Sequence, residues 1–242
     1  RMRQLYIIER MQENGFISAA QAQQAAAEQL QYRAPSDVRV HAEYAAEEAR
    51  KLVAAQYQQD AYTRGLNVVL TLNSNDQSTA YKALRRGLSD FERRQVYRGP
   101  EAYVTLPADP KEIDIRIAEA LAEHPDSDDL RAAVVLEATP RRVIAVLQSG
   151  DEITVSGDGL RAVASGLSEK APTQKQIRRG AVVRAVKNGN AWALTQIPEV
   201  EGAFVAMDPR SGAIKAMVGG FDFGKNKFNH VTQAWRQPGS SF

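Results

Sequence analysis

The chain has 242 residues, and its 31 Lys and Arg residues nearly balance 29 Asp and Glu residues. This length predicts one or two domains of roughly 100–200 residues each, and a composition with 43% hydrophobic and 25% charged residues excludes a disordered or fibrous chain. The absence of cysteine excludes disulfides, three scattered histidines (His41, His124 and His230) disfavour a zinc site, and the balanced charge gives no overall argument for nucleic-acid binding.

The first residues predict two short helices. Apolar residues from Leu5 to Met11 follow helical spacing, and the Asn-Gly pair at 14–15 ends the pattern. Ser18 can then cap a second helix over residues 21–30. Both ends of the sequence look cut, because the first helix lacks a capping residue and the last residues stop where a helix could begin. We therefore expect a piece of a larger protein.

Residues 40–97 predict a helix, a strand and a second helix. One face of the first helix carries Ala45, Ala49, Leu52 and Gln56. Apolar residues at positions 66, 68, 70 and 72 then occur at every second position, which predicts a strand with one buried face. Asn73 or Ser74 can cap the second helix. The apolar face of this helix carries Ala80, Leu84, Leu88 and Phe91.

Residues 101–200 are predicted to form mainly short strands. Asp109 and the proline that follows it predict one capped helix, which continues to Leu121. The predicted strands cover residues 131–137, 142–147, 152–156, 181–187 and 191–197. Asn188-Gly189 predicts a hairpin between the last two strands, because both residues tolerate positive φ. Five short strands and a helix indicate a small, partly closed barrel of the oligonucleotide/oligosaccharide-binding (OB) type.

Residues 201–242 begin with a second predicted hairpin. Strands over 203–207 and 213–219 flank an Asp-Pro-Arg-Ser-Gly turn at 208–212, where proline fixes φ and glycine closes the turn. A Gly-Gly pair at 219–220 follows, and after it comes a polar stretch over residues 221–237. The alternation of helical and strand-rich regions indicates an α+β protein.

These last residues also carry a family resemblance. Residues 201–220, the Phe-Asn pair at 228–229, and residues 232–242 with their Arg-Gln-Pro-Gly-Ser-Ser-Phe ending resemble the first hairpin of a penicillin-binding transpeptidase domain and the approach to its Ser-x-x-Lys motif. Upstream, residues 65–72, 85–88 and 97–100 resemble the linker of class A penicillin-binding proteins. Residues 10–18 are similar to the tail of their glycosyltransferase domain. The resemblance covers the whole chain and is closest to the 1A kind from Gram-negative bacteria.

The resemblance implies four regions and a cellular location. Residues 1–38 would be the C-terminal tail of the glycosyltransferase domain, and residues 39–100 a helical interdomain linker that contributes to the transpeptidase domain. Residues 101–200 would form an inserted OB-like domain, and residues 201–242 the first hairpin of the transpeptidase α/β sheet. The intact protein would lie at the periplasmic face of the inner membrane with a single-pass anchor upstream. This chain's own apolar runs are far shorter than the ~20 residues of a membrane-spanning helix.

The resemblance also implies an activity. Such enzymes polymerise lipid-linked disaccharide and cross-link peptidoglycan stem peptides through a serine acyl-enzyme, or hydrolyse that intermediate as carboxypeptidases, and β-lactams acylate the same serine. Here Ser240 would be the nucleophile and Ser241 its rival. The lysine that serves as base would follow Phe242, and further family motifs would lie beyond it, so the fragment alone is expected to be inactive. No metal or cofactor is implied.

Several other polar residues have structural interpretations beside functional ones. Asn229 and Gln233 either line the cleft or, as we prefer, fill loops. Trp235, beside Arg236, either shapes a groove or anchors a core. The acidic run at 126–129 is interpreted as a solvated turn. The glutamates interpreted as solvated helix-face residues rather than glycosyltransferase acids are Glu28, Glu43, Glu47 and Glu48.

Other functions are weighed against this enzyme. The basic pairs at 93–94, 141–142 and 178–179 would suit nucleic acid, but the barrel region lacks the interleaved aromatic residues that stack on bases, so no nucleic acid is expected. The alternative is a non-catalytic docking or spacer module that binds a regulatory lipoprotein or peptidoglycan, because the strand-rich insertion carries no catalytic residues of its own. A fragment of a monofunctional serine hydrolase is a third interpretation.

Overall fold

The computed structural model describes residues 2–28, 40–235, 237 and 239. The chain divides into two compact units, Arg1–Arg39 and Val40–Phe242. The first unit contains α1 (Met2–Glu13) and α2 (Ala19–Ala27), which confirms both predicted helices. Ser18 caps α2 as expected: its Oγ accepts from the backbone N–H of Gln21, whose side-chain oxygen accepts from the Ser18 N–H at 2.8 Å.

The second unit contains the sheets. Its helices are α3 (Glu43–Tyr57), α4 (Asp60–Thr63), α5 (Ser74–Glu92) and α6 (Pro110–Glu123). Its strands are β1 (Ala102–Tyr103), β2 (Arg131–Thr139), β3 (Arg142–Leu147), β4 (Glu152–Ser156), β5 (Ala181–Asn188), β6 (Ala191–Thr195), β7 (Phe204–Met207) and β8 (Ile214–Val218), and 3₁₀ turns over Gly157–Leu167 lie between β4 and β5. Helices and antiparallel sheets make the chain α+β, as predicted. Among the described residues, no helix has the length and apolar character needed to cross a bilayer.

Six strands form one antiparallel sheet in the order β4-β3-β2-β5, with β1 and β6 sharing the outer edge of β5. The predicted strands are confirmed: β3 and β4 coincide residue for residue with the prediction, and β2, β5 and β6 differ only at their C-terminal ends. The predicted hairpin joins β5 to β6, but its two-residue loop is Gly189-Asn190 and not Asn188-Gly189. Asn188 is the last residue of β5 and pairs with Ala191, whereas Gly189 has φ 59°. Alternation and turn chemistry are therefore sufficient to locate the strands of this domain.

Both faces of the sheet are covered. On one face, Leu160 and Val163 of the 3₁₀ turns belong to one buried cluster with Val143. On the other, Leu121 of α6 belongs to a cluster with Val134 of β2. Because each face buries its own apolar residues, the domain has a core that does not depend on the hairpin β7–β8.

The sheet is partly closed by the 3₁₀ turns. β4 and β6, at its two ends, do not pair with each other in the described sheet. A Cβ on Gly159 would lie 2.4 Å from the Trp192 carbonyl oxygen on β6 and 2.9 Å from Val155 Cγ1 on β4. Only glycine permits this approach, so the turns fill the gap between the end strands, as a partly closed barrel requires.

The predicted strand over residues 66–72 is wrong. The segment lies outside both sheets, and Val69 is 93% exposed. Its contacts with β8 come at its end, where Thr71 Oγ1 donates to the Ile214 carbonyl at 2.7 Å and the Asn73 N–H donates to the Lys215 carbonyl at 3.0 Å. The alternation is real, but among the described residues no neighbouring strand supplies the backbone partners that a ladder along 66–70 needs.

The predicted face of α3 is buried only near the start of the helix, at Ala45. Leu52, expected to be buried, is 73% exposed, whereas Tyr44 and Ala45 are buried. Tyr44 is held by its hydroxyl, which donates to the Asn226 carbonyl at 2.7 Å. The helix is therefore oriented by a long-range polar contact that its own periodicity does not reveal.

α5 packs on the hairpin β7–β8. Asn73 caps the helix, because its Oδ1 accepts from two backbone N–H groups of the first turn. Ala80 and Tyr81 belong to one buried cluster with Ala216 and Val218. Both the cap and the helix are confirmed, although Phe91 at the predicted apolar face is largely exposed.

Three polar side chains on α5 are buried, namely Gln77, Arg85 and Glu92. The Gln77 amide hydrogen-bonds to the backbone of β8 in the way that a neighbouring strand would. Its Oε1 accepts from the Met217 N–H at 2.8 Å, and its Nε2 donates to the Met217 carbonyl at 2.9 Å. The buried face of α5 is therefore partly a polar docking face, which the apolar pattern did not predict.

Candidate functional site

The predicted nucleophile, Ser240, lies outside the described residues, as do its rival Ser241 and their neighbour Arg236. Gly239, immediately before Ser240, is described and has φ 90°. This is a left-handed backbone conformation that favours glycine. The position of Ser240 relative to a base stays a prediction, but the chain before it can be followed from β8 to Trp235.

The turn predicted between β7 and β8 is confirmed, and the side chain of Asp208 fixes it. Its Oδ1 accepts from the backbone N–H groups of Arg210 and Ser211 and from the Ser211 hydroxyl, at 2.8–3.0 Å. These hydrogen bonds, from Ser211 above all, hold the pKa of Asp208 below its usual value. Gly212 closes the turn with φ 70°. The turn thus fixes the start of β8, and the end of β8 leads into the polar stretch.

Two glycines after β8 allow the chain to pass directly over Tyr44. A Cβ on Gly219 would lie 2.6 Å from Tyr44 Cδ1, and a Cβ on Gly220 would lie 2.3 Å from the Tyr44 hydroxyl oxygen. Burial raises the pKa of Tyr44 above its usual value, and the carboxylates of Glu201 and Asp222 raise it further. The hydroxyl therefore remains protonated and donates to the 222–226 turn.

Asn229 and Gln233 fill a loop, as we preferred. Asn229 is buried, its backbone N–H donates to Gln233 Oε1 at 2.7 Å, and its carbonyl accepts from the Gln233 N–H at 2.8 Å. Its Nδ2 donates to Glu48 Oε1 at 3.4 Å, and Thr232 Oγ1 donates to the same oxygen at 3.2 Å. Burial opposes ionisation of Glu48, but Lys51 and these donors outweigh it and keep the pKa of Glu48 below its usual value. Glu48 is thus a loop anchor and not simply a solvated face residue.

Trp235 is 99% exposed. Within the described residues it therefore anchors no core. The exposed indole lies on the described chain five residues before Ser240 in the sequence. Shaping a groove remains the role to test for this side chain.

Arg85 joins α5, the OB-like domain and the polar stretch. Its Nη1 donates to the Phe221 carbonyl at 2.9 Å, and its Nη2 donates to the Ser127 carbonyl at 2.7 Å and to Asp129 Oδ1 at 2.6 Å. Its guanidinium carbon lies 4.1 Å from the centroid of the Phe221 ring. Ser127 Oγ in turn donates to Asp222 Oδ2. We call these five residues the Arg85 cluster.

The Arg85 cluster corrects the interpretation of the acidic run 126–129. Asp128 and Asp129 both pair with the Arg85 guanidinium, whose side chain is only 5% exposed. A buried guanidinium is stable only when carboxylates and carbonyls replace its water. The run is therefore a docking turn of the OB-like domain and not merely a solvated turn.

A second polar cluster joins the two chain segments that enter and leave the OB-like domain, which we call its first and second connections. Glu92, buried at the end of α5, pairs with Arg98 and accepts from Gln196 Nε2 at 2.7 Å. The Arg98 N–H donates to Gln196 Oε1 at 2.9 Å, and its Nη2 donates to the Ile197 carbonyl at 2.6 Å. Arg98 stands where the chain enters the domain and Gln196 where it leaves. We call Glu92, Arg98 and Gln196 the junction cluster.

A buried ion pair lies beside the junction cluster. Arg184 on β5 is 1% exposed, and its Nε and Nη2 donate to the two carboxylate oxygens of Glu101 at 2.7 and 2.8 Å. Burial raises the pKa of Glu101, but the hydrogen bonds and charge of Arg184 outweigh burial and leave this pKa below its usual value. His124 Nδ1 also lies 3.2 Å from Glu101 Oε2.

A cleft of about 490 Å³ opens at this junction, lined by both connections and by Lys225 from the polar stretch. Burial lowers the pKa of Lys225, and the charge of Arg184 lowers it further while Glu101 opposes this. No serine or cysteine is among the residues that line the cleft. We describe this cleft as a domain junction, because the segments that enter and leave the OB-like domain both line it.

One arginine of each basic pair has a partner within the chain. Arg93 and Arg142 pair with nearby carboxylates at 3.1 and 2.8 Å. Arg178 lies 4.6 Å over the ring of Tyr103. Within the described ranges, no group of three histidine, aspartate or glutamate side chains converges in a way that could hold a metal ion.

The sequence alone did not predict the buried polar and charged residues that connect α5, the OB-like domain and the polar stretch. Gln77, Arg85 and Glu92 occur with Tyr81 at near-helical intervals on α5, and Arg184 interrupts an otherwise apolar strand. A polar residue on the apolar face of an element is the signal that could have identified them, because such a residue needs a buried partner. The partners themselves are not visible locally: Asp129 lies 44 residues after Arg85.

Comparisons with known proteins give the family. Residues 97–200 match the family described as the penicillin-binding protein OB-like domain. Penicillin-binding protein 1A of Neisseria lactamica is 38% identical over 244 residues, which covers 100% of this chain, and that of Escherichia coli strain K12 is 32% identical over 97% of the chain. The crystal structure of penicillin-binding protein 1A from Haemophilus influenzae superimposes with a TM-score of 0.78 at 30% identity, over 98% of this chain. The chain belongs to the class A penicillin-binding proteins.

This penicillin-binding protein chain spans about 30% of the length of the curated relatives it matches, and 34% of the Haemophilus influenzae chain. The family match begins at Tyr97, next to Arg98 of the junction cluster, and ends at Val200, after Gln196. The junction cluster therefore lies at the two ends of the OB-like domain, whereas Ser127 and Asp129 of the Arg85 cluster lie within it.

Proposed function

We propose that this penicillin-binding protein chain is part of a bifunctional peptidoglycan synthase. The observation that carries the proposal is similarity to penicillin-binding protein 1A along the whole chain. In the intact protein, one domain would polymerise lipid-linked disaccharide and another would cross-link stem peptides by D,D-transpeptidation, or act as a carboxypeptidase when water accepts the acyl group. The part spanned here would be inactive alone.

The proposed regions follow the family pattern. Residues 1–38 would end the glycosyltransferase domain, residues 39–100 would link it to the transpeptidase domain, and residues 201–242 would begin the latter. Residues 101–200 would form the OB-like insertion. The separate core of that insertion, with α6 on one face and the 3₁₀ turns on the other, supports treating it as a domain in its own right.

In the proposed reaction Ser240 is the nucleophile. Its hydroxyl oxygen attacks the carbonyl carbon between two D-alanines, the peptide bond breaks, and the terminal D-alanine leaves with a proton. A lysine one helical turn after Ser240 would take the hydroxyl proton. The acyl group then passes to an amine of a neighbouring stem peptide or to water. A β-lactam would leave the same oxygen acylated.

Two features of the described chain support this role for Ser240. Gly239 has the left-handed backbone that suits a sharp entry into a helix, and it is exposed. Hydrogen bonds of Tyr44, Asn229 and Gln233 hold residues 226–233, so this part of the described chain before Ser240 is an ordered turn structure. A serine at a helix start also meets backbone N–H groups that favour developing negative charge.

The test is covalent labelling of the full-length protein with a β-lactam, followed by mass spectrometry of the intact protein and of its peptides. We expect one adduct, on the peptide that contains Ser240. Ser240→Ala should abolish labelling, whereas the matched variant Ser241→Ala should keep it. An adduct that survives in Ser240→Ala, or moves to Ser241, would refute the assignment.

A spacer role for the OB-like domain is a second candidate, favoured by its polar attachments. Both the Arg85 cluster and the junction cluster tie it to α5. A freely moving docking module would not need two buried ionic attachments. Binding of a regulatory lipoprotein or of peptidoglycan to this domain remains the docking alternative, to be tested by co-sedimentation of the full-length protein with purified peptidoglycan.

The proposed location is the periplasmic face of the inner membrane. Lipid-linked disaccharide is a membrane substrate, so a glycosyltransferase that uses it must work at the bilayer surface. The proposed partners are therefore this lipid-linked precursor, peptidoglycan stem peptides and, as inhibitors, β-lactams. A single-pass anchor upstream of the chain belongs to the same proposal.

A further inference from the structure

The OB-like domain touches the chain segment that leads to Ser240. Ser127 is buried at the start of its docking turn, and its hydroxyl donates to Asp222 Oδ2, while its carbonyl accepts from Arg85. Phe221 and Asp222 come directly after the Gly219-Gly220 pair. The contact therefore falls at the first residues of the polar stretch, 18 residues before Ser240 in the sequence.

Asp222 organises the turn that follows it. Its Oδ1 accepts from the Gly224 N–H at 2.8 Å, and its carbonyl accepts from the N–H groups of Lys225 and Asn226. With one carboxylate oxygen used inside the turn and the other held by Ser127, the orientation of Asp222 is determined from outside its own segment. The turn is thus attached to the OB-like domain by a side chain that also shapes it.

Glu201 holds the opposite side of the same turn. Its Oε2 accepts from the Phe221 N–H at 3.2 Å, and its Oε1 accepts from Asn226 Nδ2 at 3.3 Å. Glu201 follows the last residue of the OB-like domain. The 221–226 turn is therefore held by Ser127 of that domain and by Glu201, and the Arg85 guanidinium lies over the Phe221 ring.

We propose that Ser127 and Asp222 are positioning residues for acylation, through which the OB-like domain sets the placement of the segment that carries Ser240. This rests on the proposed role of Ser240 as nucleophile. Neither residue touches the reacting atoms. Loss of their hydrogen bond leaves the 221–226 turn attached by Arg85 and Glu201 but with one fewer constraint, so the nucleophile is presented less accurately rather than lost.

The test is the kinetics of acylation of the full-length protein by a fluorescent penicillin. Ser127→Ala removes the hydroxyl, and Ser127→Cys keeps its size with a weaker donor. Ser149→Ala is the matched control, because Ser149 Oγ donates only to Asp151 within the OB-like domain at 2.7 Å. The acylation rate at saturating penicillin is expected to fall about three- to tenfold in Ser127→Ala and less in Ser127→Cys. Ser149→Ala should match the wild type.

Two quantities separate positioning from loss of folded protein. Misfolding lowers the final amount of label, whereas misplacement lowers the rate constant and leaves the penicillin concentration for half-maximal rate within about twofold. A wild-type rate constant in Ser127→Ala, with or without a lower endpoint, overturns the inference. So does an equal fall in Ser149→Ala.

The proposed function fails separately. If Ser240→Ala still takes up label, the nucleophile is misassigned whatever Ser127 does. If Ser240→Ala takes up none while Ser127→Ala reacts at the wild-type rate, only the positioning role is lost.

Discussion

Single glycines decide how closely the chain can pass over Tyr44. Gly219 and Gly220 have no substitute there, because a Cβ at either position would overlap the ring or its hydroxyl. Gly87, on the exposed side of α5, differs: a Cβ there would meet no atom within 4 Å. The same substitution should therefore have opposite effects at the two kinds of site.

Gly220→Ala is expected to destabilise the full-length protein by about 1–3 kcal/mol, because its Cβ would force Tyr44 out of place. Tyr44→Phe in the same chain should recover part of this loss, since it removes the hydroxyl that lies 2.3 Å from the added Cβ. Gly87→Ala should stabilise α5 by up to about 1 kcal/mol. Urea unfolding of the four variants measures these changes. Additive effects of Gly220→Ala and Tyr44→Phe would contradict the proposed overlap.

Residues with local signals could be predicted from the sequence, and residues with distant partners could not. Ser18, Asn73 and Asp208 each bond to backbone a few residues away, and the sequence identified all three turns or caps. Gln77 and Arg184 bond to groups 140 and 83 residues away. Their partners depend on tertiary contacts that no local pattern contains. Ser240 was identified by resemblance, and its placement stays a prediction.

Among the elements, the sequence located the strands of the OB-like domain but wrongly assigned one at 66–72. The two cases differ in whether a neighbouring strand is present to pair with the segment. β2, β3 and β5 are each paired along both edges in the sheet, so alternation and hydrogen bonding agree. Residues 66–70 alternate just as clearly, yet the described chain offers them no ladder. Alternation predicts two faces of an extended chain, whereas a strand also requires an edge to join.

The ion pair between Glu101, on the first connection, and Arg184, on β5, predicts that the stability of the folded protein depends on pH. The pKa of Glu101 in the folded protein is below its usual value, so Glu101 adds stability above its unfolded pKa of about 4.3 and loses it as pH falls through the folded value. Glu101→Gln should reduce stability near neutral pH by about 2–4 kcal/mol, because Arg184 stays buried with a weaker partner. The difference from the wild type should shrink towards pH 3.

Urea unfolding between about pH 3 and pH 7, followed by tryptophan fluorescence, measures this difference. Glu199→Gln is the control, because Glu199 contacts Arg98 at 3.0 Å but its side chain is 75% exposed. Surface pairs of this kind contribute little. A constant difference between Glu101→Gln and the wild type across this pH range would argue against the ion pair as its cause.

For the whole molecule, the two polar clusters change what a deletion can reveal. Removing residues 101–200 would take away Asp129 and Ser127 from Arg85, and Gln196 from Glu92. The remaining protein would hold a buried guanidinium without its carboxylate. A lost activity in such a deletion would therefore not by itself demonstrate that the OB-like domain docks a partner.

We expect the deletion variant to be largely unfolded or insoluble and to take up little fluorescent penicillin. Arg85→Met in the deletion should raise the soluble, labelled fraction, because an apolar side chain of similar length replaces an unpaired buried charge. In the undeleted protein, Arg85→Met should lower stability, since it leaves the Phe221 and Ser127 carbonyls without their donor. Soluble yield and label measure both cases. The same direction of effect in both proteins would contradict the role given to Arg85.

The hairpin β7–β8 has two unlike sides. Gln77 and Asn73 occupy backbone groups of β8 on the side away from β7. Along β7, the described residues include no strand on the side away from β8, and Phe204, Val205 and Met207 are each more than 40% exposed. A further strand can add only next to β7, so this sheet can grow in one direction. Gln77 thus closes the β8 edge of this sheet to further pairing, and any additional strand must pair with β7.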